Sequence, residues 1–352
     1  MDRIKMQTDR RKKLRRRRIL YFILVPLLVL AFSGVSYGFY LYKKAETVFN
    51  DSHNDLDGRQ KSEKREVAVD PKDDSISVLF IGVDESNSRS YGEATRSDAL
   101  MLVTLNETNK TAKMVSIPRD SYVYVPEVGY KTKINHAHAY GGPSATMDTI
   151  EELLDIPVDY YVKMNFYAFI DVIDALNGIT AEVPYEIWEK DTEDNRNAIH
   201  LLPGEQVLDG EEALALARTR KLDNDVERGK RQQEILKAII KKAVSANSIA
   251  KYDDVIQAIG DNMETNMTFE EMRSLMSYGI SGNINLDTMT LEGSDTYIDN
   301  IYYWELDEVA LEETAYSLQS HLDLIDSGTN LNANDDNNSS TSSSSTGEVA
   351  SE

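Results

Sequence analysis

The chain has 352 residues, a net charge of −22 and no cysteine, so disulfide frameworks, zinc–thiolate sites and cysteine nucleophiles are excluded. The charge is unevenly divided. Residues 1–18 hold ten basic side chains (Arg3, Lys5, Arg10 to Lys13, Arg15 to Arg18) against Asp2 and Asp9, which leaves −30 on the remainder, a body that repels nucleic acid.

Residues 19–42 (ILYFILVPLLVLAFSGVSYGFYLY) carry no charge. As a helix, about 24 residues reach roughly 36 Å, enough for a ~30 Å hydrocarbon core. The pattern predicts one uncleaved transmembrane helix. Residues 1–18 form its cytoplasmic head under the positive-inside bias, and everything after Tyr42 lies outside. The run is long for a signal peptide and lacks a small-residue cleavage site. Gly34-Val-Ser36-Tyr-Gly38 matches a nucleophile elbow only by coincidence, since no strand precedes it. Residues 43–74 are charged and poor in apolar groups, which predicts a stalk. Residues 326–352, with the run DDNNSSTSSSSTG, predict a disordered tail. A cysteine-free exported domain fits the surface of a Gram-positive bacterium.

The folded body lies between these segments. Residues 75–82 (SISVLFIG) predict a buried strand, and 99–105 with 112–117 predict a hairpin. A helix is expected over 143–154, with Pro143 in its first turn. A strand follows over 158–164. Asn165 is the expected N-cap of a helix over 166–176 that stops at Asn177-Gly178. Further expectations are a strand over 179–183, a helix over 210–218 capped by Asp209, a long amphipathic helix over 226–245 and a strand over 288–291. Strands alternating with helices indicate a layered α/β domain over 75–245. Residues 246–325 are an extension that either completes or flanks it.

Charged residues gather at the predicted element ends. Asp84 follows the first strand, Arg96 and Asp98 open the second, and Arg119 and Asp120 follow the third. If the second strand is antiparallel to both neighbours, Asp84, Arg96, Asp98 and Arg119 share one rim of the sheet. A second group comprises Arg218, Arg220, Asp225, Arg228, Arg231 and Gln232. Arg228, Arg231 and Gln232 share a helical face that continues into Ile235, Leu236 and Ile239. Several arginines with two carboxylates suit a diphosphate and a hard divalent cation. A zinc site is not indicated, because His136 and His138 stand alone at i, i+2 spacing. The aromatic residues Tyr160, Tyr161, Phe166, Tyr167 and Phe169 read as core, with contact to a lipid as the alternative.

The stretches SVLFIGVDES, TRSDALMLVTLN, KMVSIPRDSYV, KINHAHAYGG, IPVDYYVKMNFYAFIDVIDALNGI, LDGEEALALARTRK and DVERGKRQQEIL cover about residues 75–240 in order. On these stretches the chain resembles the LytR-CpsA-Psr family, and within it the polyisoprenyl-teichoic acid–peptidoglycan teichoic acid transferases. The resemblance implies an α/β/α sandwich around a mixed central sheet, with an apolar pocket for a lipid. It implies transfer of a phosphate-linked glycopolymer from a polyprenyl diphosphate carrier in the membrane to a muramic acid hydroxyl of peptidoglycan. By the same resemblance Asp84 and Asp98 hold Mg²⁺ or Mn²⁺. Arg96, Arg119, Arg218, Arg220 and Arg228 bind the diphosphate, with Gln232, Lys133 and Asn135 beside them. Arg231 joins this set through its helical spacing. Arg119, Asp225 and Arg228 are the expected catalytic residues, with Asp225 or Asp98 as proton acceptor. Thr95 stands where the family often has Gly. The rival readings are a hydrolase acting on the same donor, a membrane-anchored regulator and a wall-binding module without turnover.

Overall fold

The apolar run ISVLFIGV supplies the strand on which the architecture depends. In the computed structural model the described residues are 27, 32–56, 58–59, 61–84, 95–220, 225–243, 252–260, 262–280 and 285–325. Helix α1 (residues 32–52) is followed by β1 (Ile76–Val83), β2 (Ser97–Asn106) and β3 (Thr111–Ile117). A small hairpin, β4 (Tyr122–Val125) and β5 (Tyr130–Lys133), leads into α2 (Asn135–Leu154), β6 (Tyr160–Asn165) and α3 (Phe166–Ala175). Then come β7 (Ile179–Val183), β8 (Ile187–Glu189), β9 (Ile199–Leu201), β10 (Gly204–Leu208), α4 (Gly210–Arg218) and α5 (Asp225–Ala243). The chain continues through α6 (Tyr252–Gly260), β11 (Met263–Thr265), α7 (Phe269–Ile280), β12 (Asn285–Thr290), the hairpin β13 (Gly293–Ile298) and β14 (Ile301–Leu306), and α8 (Glu308–His321).

Six strands form a mixed sheet in the order β11-β6-β1-β2-β3-β12. β2 is antiparallel to β1 and β3, while β6 runs parallel to β1 and β12 parallel to β3. The start of β2 therefore lies beside the ends of β1, β3, β6 and β12, and all five termini share one rim. Helices cover both faces, which gives a mixed α/β fold. Leu79, Ile81, Leu100, Leu102 and Val115 meet Met147, Ile150 and Leu154 of α2 and Leu318 of α8. On the other face Met101, Val103 and Met114 meet Leu236 of α5.

Local signals fix the helix ends. Asn165 accepts from the Ala168 amide at 3.0 Å. Asp209 and Glu212 form a reciprocal capping box. The expected helix over 143–154 is the second part of α2. Gly142 has φ 63° and ψ −150°, a conformation open only to glycine, and it lets Pro143 begin a new helical segment. Residues 246–325 complete the main sheet by adding β11 and β12.

Residues 43–74 were expected to form a stalk, but they pack on the body. α1 ends with Ser52 donating to Gly260 O at 3.1 Å. His53 then bridges Thr265 of β11. Arg59 pairs with Glu151 at 2.8 Å, and Arg65 with Asp159 at 2.8 Å. Of the expected transmembrane span only residues 27 and 32–42 are described, the latter within α1. The head 1–18 and tail 326–352 lie outside the described residues. Among the described residues no helix is long and apolar enough to cross a membrane.

α5 approaches the sheet closely at Gly229. A Cβ there would stand 3.2 Å from Ser116 Cβ of β3 and nearer still to its Oγ. Gly229→Ala at an ordinary helical site would gain up to ~1 kcal/mol of propensity. Here overpacking outweighs that gain, and a net loss of about 1 kcal/mol is expected. A lowered urea midpoint for Gly229→Ala, with unchanged slope, is the measurement that checks it.

Candidate active site

The rim of the sheet carries a cavity of about 250 Å³, lined by Asp84, Asp98, Arg119, Arg218, Arg220, Arg228 and Gln232. Two sequence-distant groups thus meet in one place. β1 delivers Asp84 just past its end. Asp98 is the extra residue of a bulge, because Gly82 pairs with Ala99 and Val83 with Ser97. Such a bulge re-aims a side chain, and Asp98 Oδ1 accepts from Arg119 Nη1. Arg119 follows Pro118 at the end of β3.

The second group surrounds Asp225, whose side chain is only 7% exposed. Its Oδ1 lies 3.1 Å from Arg228 Nη1 and 3.4 Å from Arg220 Nη1. Its Oδ2 lies 3.7 Å from Arg119 Nε, an ion pair too long for a hydrogen bond. Arg228 is buried, and its Nη2 reaches the Asp98 carbonyl at 3.4 Å. Burial pushes the Arg228 guanidinium down to about 10, opposed by Asp225 and reinforced by Arg119 and Arg220. It therefore stays charged at neutral pH.

These contacts leave donors unused. Arg119 Nε, Arg218 Nε and Nη2, and Arg228 Nε are buried with no hydrogen-bond partner among the described residues. Each such group costs about 1–3 kcal/mol if nothing engages it. Clustered cationic donors in a cavity are the complement of an anion with several oxygens. Phe166, Tyr167, Leu214 and Ala217 give the same cavity an apolar wall.

Asp84 and Asp98 form an oxygen-only donor set of two. Among the described residues no group of three acidic or histidine side chains gathers. Two carboxylates fit a small hard cation that keeps water and takes further ligands from phosphate; they do not fit a cation caged by protein alone.

Four expected site residues lie elsewhere. Arg231 is turned from the cavity. Its Nε donates to Leu216 O at 3.1 Å and its Nη2 to Thr219 O, so it ties α5 to the end of α4. Arg96 is exposed, and its charge acts on His136 and Tyr140. Lys133 pairs with Asp120 at 2.9 Å and lies over the rings of Tyr302 and Tyr303. Asn135 supports the site from behind, donating its backbone N–H to Arg119 O at 3.2 Å. Of the aromatic run, Phe166 and Tyr167 line the cavity, whereas Tyr160, Tyr161 and Phe169 pack in apolar clusters. The segment Lys190 to Asp194 also borders the cavity, and no spacing or motif in the sequence pointed to it.

The chain belongs to the LytR-CpsA-Psr family, since the model of the LytR_cpsA_psr family matches residues 39–320. It is 41% identical over 320 residues to the polyisoprenyl-teichoic acid–peptidoglycan teichoic acid transferase TagT of Bacillus subtilis, covering 90% of this chain and 98% of that protein. It is also similar to TagV of the same organism, at 40% identity over 319 residues, covering 89% of this chain and 80% of the relative. Among solved structures, that of "TagT bound to LIIa-WTA" superposes with a TM-score of 0.66 at 40% identity. That match covers 77% of this chain and 100% of the other. The TagT structure with bound octaprenyl pyrophosphate lipid matches with a TM-score of 0.62 at 38% identity and the same coverage.

The unused donors predict an anion site in which Arg228 and Arg231 differ. Arg228→Ala is expected to weaken binding of inorganic diphosphate roughly tenfold or more. Arg231→Ala should lower thermal stability and leave that affinity near wild type. Calorimetric titration of both variants checks the contrast.

Proposed function

We propose that this chain transfers a phosphate-linked glycopolymer of the teichoic acid type from a polyprenyl diphosphate carrier to a hydroxyl of peptidoglycan. One observation carries the reading: buried guanidinium donors of Arg119, Arg218 and Arg228 have no hydrogen-bond partner among the described residues, and these arginines line a cavity with an apolar wall. A lipid diphosphate presents matching oxygens and a matching apolar tail. The names of the relatives and the octaprenyl pyrophosphate bound to TagT support the same chemistry.

In the proposed reaction the sugar hydroxyl oxygen bonds to the phosphorus next to the polymer. The bond from that phosphorus to the bridging oxygen breaks, and its electron pair leaves on the lipid phosphate. Arg119, Arg218 and Arg228 hold the oxygens on which negative charge builds. Asp98 keeps Arg119 in place, and Asp225 keeps Arg228 and Arg220 in place. The hydroxyl proton passes to a carboxylate. Asp225 is the better placed, because its Oδ2 carries no hydrogen bond whereas Asp98 Oδ1 is taken by Arg119. Asp84 and Asp98 would hold Mg²⁺ or Mn²⁺, which supplies charge neutralisation at the diphosphate when bound.

The proposal extends to location. Residues 19–42 cross the cell membrane of a Gram-positive cell, the basic head stays inside, and the catalytic body works at the outer face.

Arg119→Ala is expected to lower transfer from a lipid diphosphate donor to peptidoglycan by roughly 10²-fold or more. Full activity in both Arg119→Ala and Arg228→Ala would remove the arginines from the reaction. For the cation, titration of Mg²⁺ with a soluble diphosphate analogue should give a weaker isotherm for Asp84→Ala than for wild type. Superimposable isotherms would end that assignment.

A further inference from the structure

Beyond Arg119, next to the cavity but outside its lining, lies a surface of tyrosines that the diphosphate does not need. It is built by the two hairpins β4–β5 and β13–β14 with the first turns of α2. The hairpins are stitched to the residues just after Arg119: Ser121 bridges Trp304, and the Trp304 amide donates to Asp120 O at 2.9 Å. Lys133 marks the join. Its Nζ is 2.9 Å from Asp120 Oδ1 and lies 5.7 and 5.6 Å from the ring centres of Tyr302 and Tyr303. Tyr303 meets Tyr122 edge-on at 4.8 Å. Further out, Tyr130 and Tyr140 share a 3.2 Å hydroxyl contact and are 51% and 44% exposed.

We propose that this tyrosine surface is the docking platform for the acceptor glycan strand of peptidoglycan, an inference that rests on the transferase reading above. Three observations select this occupant. First, the platform is continuous with the cleft through Lys133, Asp120 and Arg119, so a sugar lying on it brings a hydroxyl next to the arginines. Second, its position suits the reaction. The apolar wall of the cavity stands at the β6 end of the rim, where α3 begins and α4 ends. The tyrosines stand at the β3 end, with β1 and β2 between them. In-line displacement puts acceptor and leaving group on opposite sides of phosphorus, so a lipid against the apolar wall leaves the β3 side for the acceptor. Third, the chemistry is that of a sugar-binding face. The rings are flat and rigid; the Tyr302 hydroxyl donates to Asp295 at 2.9 Å, and those of Tyr130 and Tyr140 bond to each other. Lys131 lies over the Tyr122 ring and complements the carboxylates carried by peptidoglycan stems.

The test uses full-length protein in proteoliposomes with saturating lipid diphosphate donor and varied uncross-linked peptidoglycan strands. Tyr303→Ala is expected to raise the acceptor KM roughly tenfold, and Tyr130→Ala a few-fold. Donor KM and the rate at saturating acceptor should hold, and Tyr303→Phe should behave as wild type. An unchanged acceptor KM in both alanine variants overturns the proposal. So does a rise in donor KM instead, which would give the platform to the donor polymer, or a loss confined to vesicle association, which would give it to the membrane. If Tyr303→Ala does not fold, the half-exposed Tyr130 decides alone. Should the wild type release polymer without joining it to any acceptor, the transferase reading fails first. Direct binding of the strands to wild type and Tyr130→Ala then still judges the platform, equal affinity counting against it.

Discussion

The site depends on the confinement of several arginines around shared, buried carboxylates. Arg119, Arg220 and Arg228 converge on Asp225, and Arg119 also takes Asp98. Paired in this way, guanidinium groups tolerate burial that they would not tolerate alone. The hydrogen bonding is incomplete: Arg119 Nε, Arg218 Nε and Nη2, and Arg228 Nε have no hydrogen-bond partner among the described residues. In the proposed reaction a diphosphate would engage these donors.

Strand direction assembles this cluster. Because β2 runs against its neighbours, its first residues fall beside the last residues of β1 and β3. Asp84, Asp98 and Arg119 come together without any special loop. α4 and the residues just after it bring Arg218 and Arg220, α5 brings Asp225 and Arg228, and the contact between Gly229 and Ser116 sets how closely α5 approaches the sheet. The carboxylates and arginines are thus held by the most buried parts of the fold, while the tyrosine hairpins hang from the rim.

Much of this was legible in the sequence, and the gaps have physical reasons. The long apolar runs identified β1, β2 and β3, and the caps at Asn165 and Asp209 located two helices. The rim followed from the antiparallel expectation. Helical spacing placed Arg231 with Arg228, yet three residues advance about 300° around a helix, enough for Arg231 to swing towards the end of α4. The Asp98 bulge left no mark, since one extra residue in a strand does not change its apolar content. The strands of the hairpins β4–β5 and β13–β14 are only four to six residues long, and β4 gives the main core just Val123 and Val125, so no long apolar run announced them. Arg59 and Arg65 looked like solvated charges because Glu151 and Asp159, which hold them, lie about ninety positions away.

The docked segment after α1 has a consequence for how the protein meets its donor. A flexible tether would let the catalytic body sample a wide volume, and the chance of meeting a bilayer-bound substrate would fall with its length. Here α1 runs into the body without slack. Tyr42 and Phe49 pack on Phe269 of α7, Lys44 pairs with Asp253 of α6, and Arg59 and Arg65 clamp the chain beyond. Helix and body therefore turn together as one lever. If residues 19–42 span the bilayer as proposed, reach is exchanged for aim, because the packed segment keeps the body from sampling a wide volume.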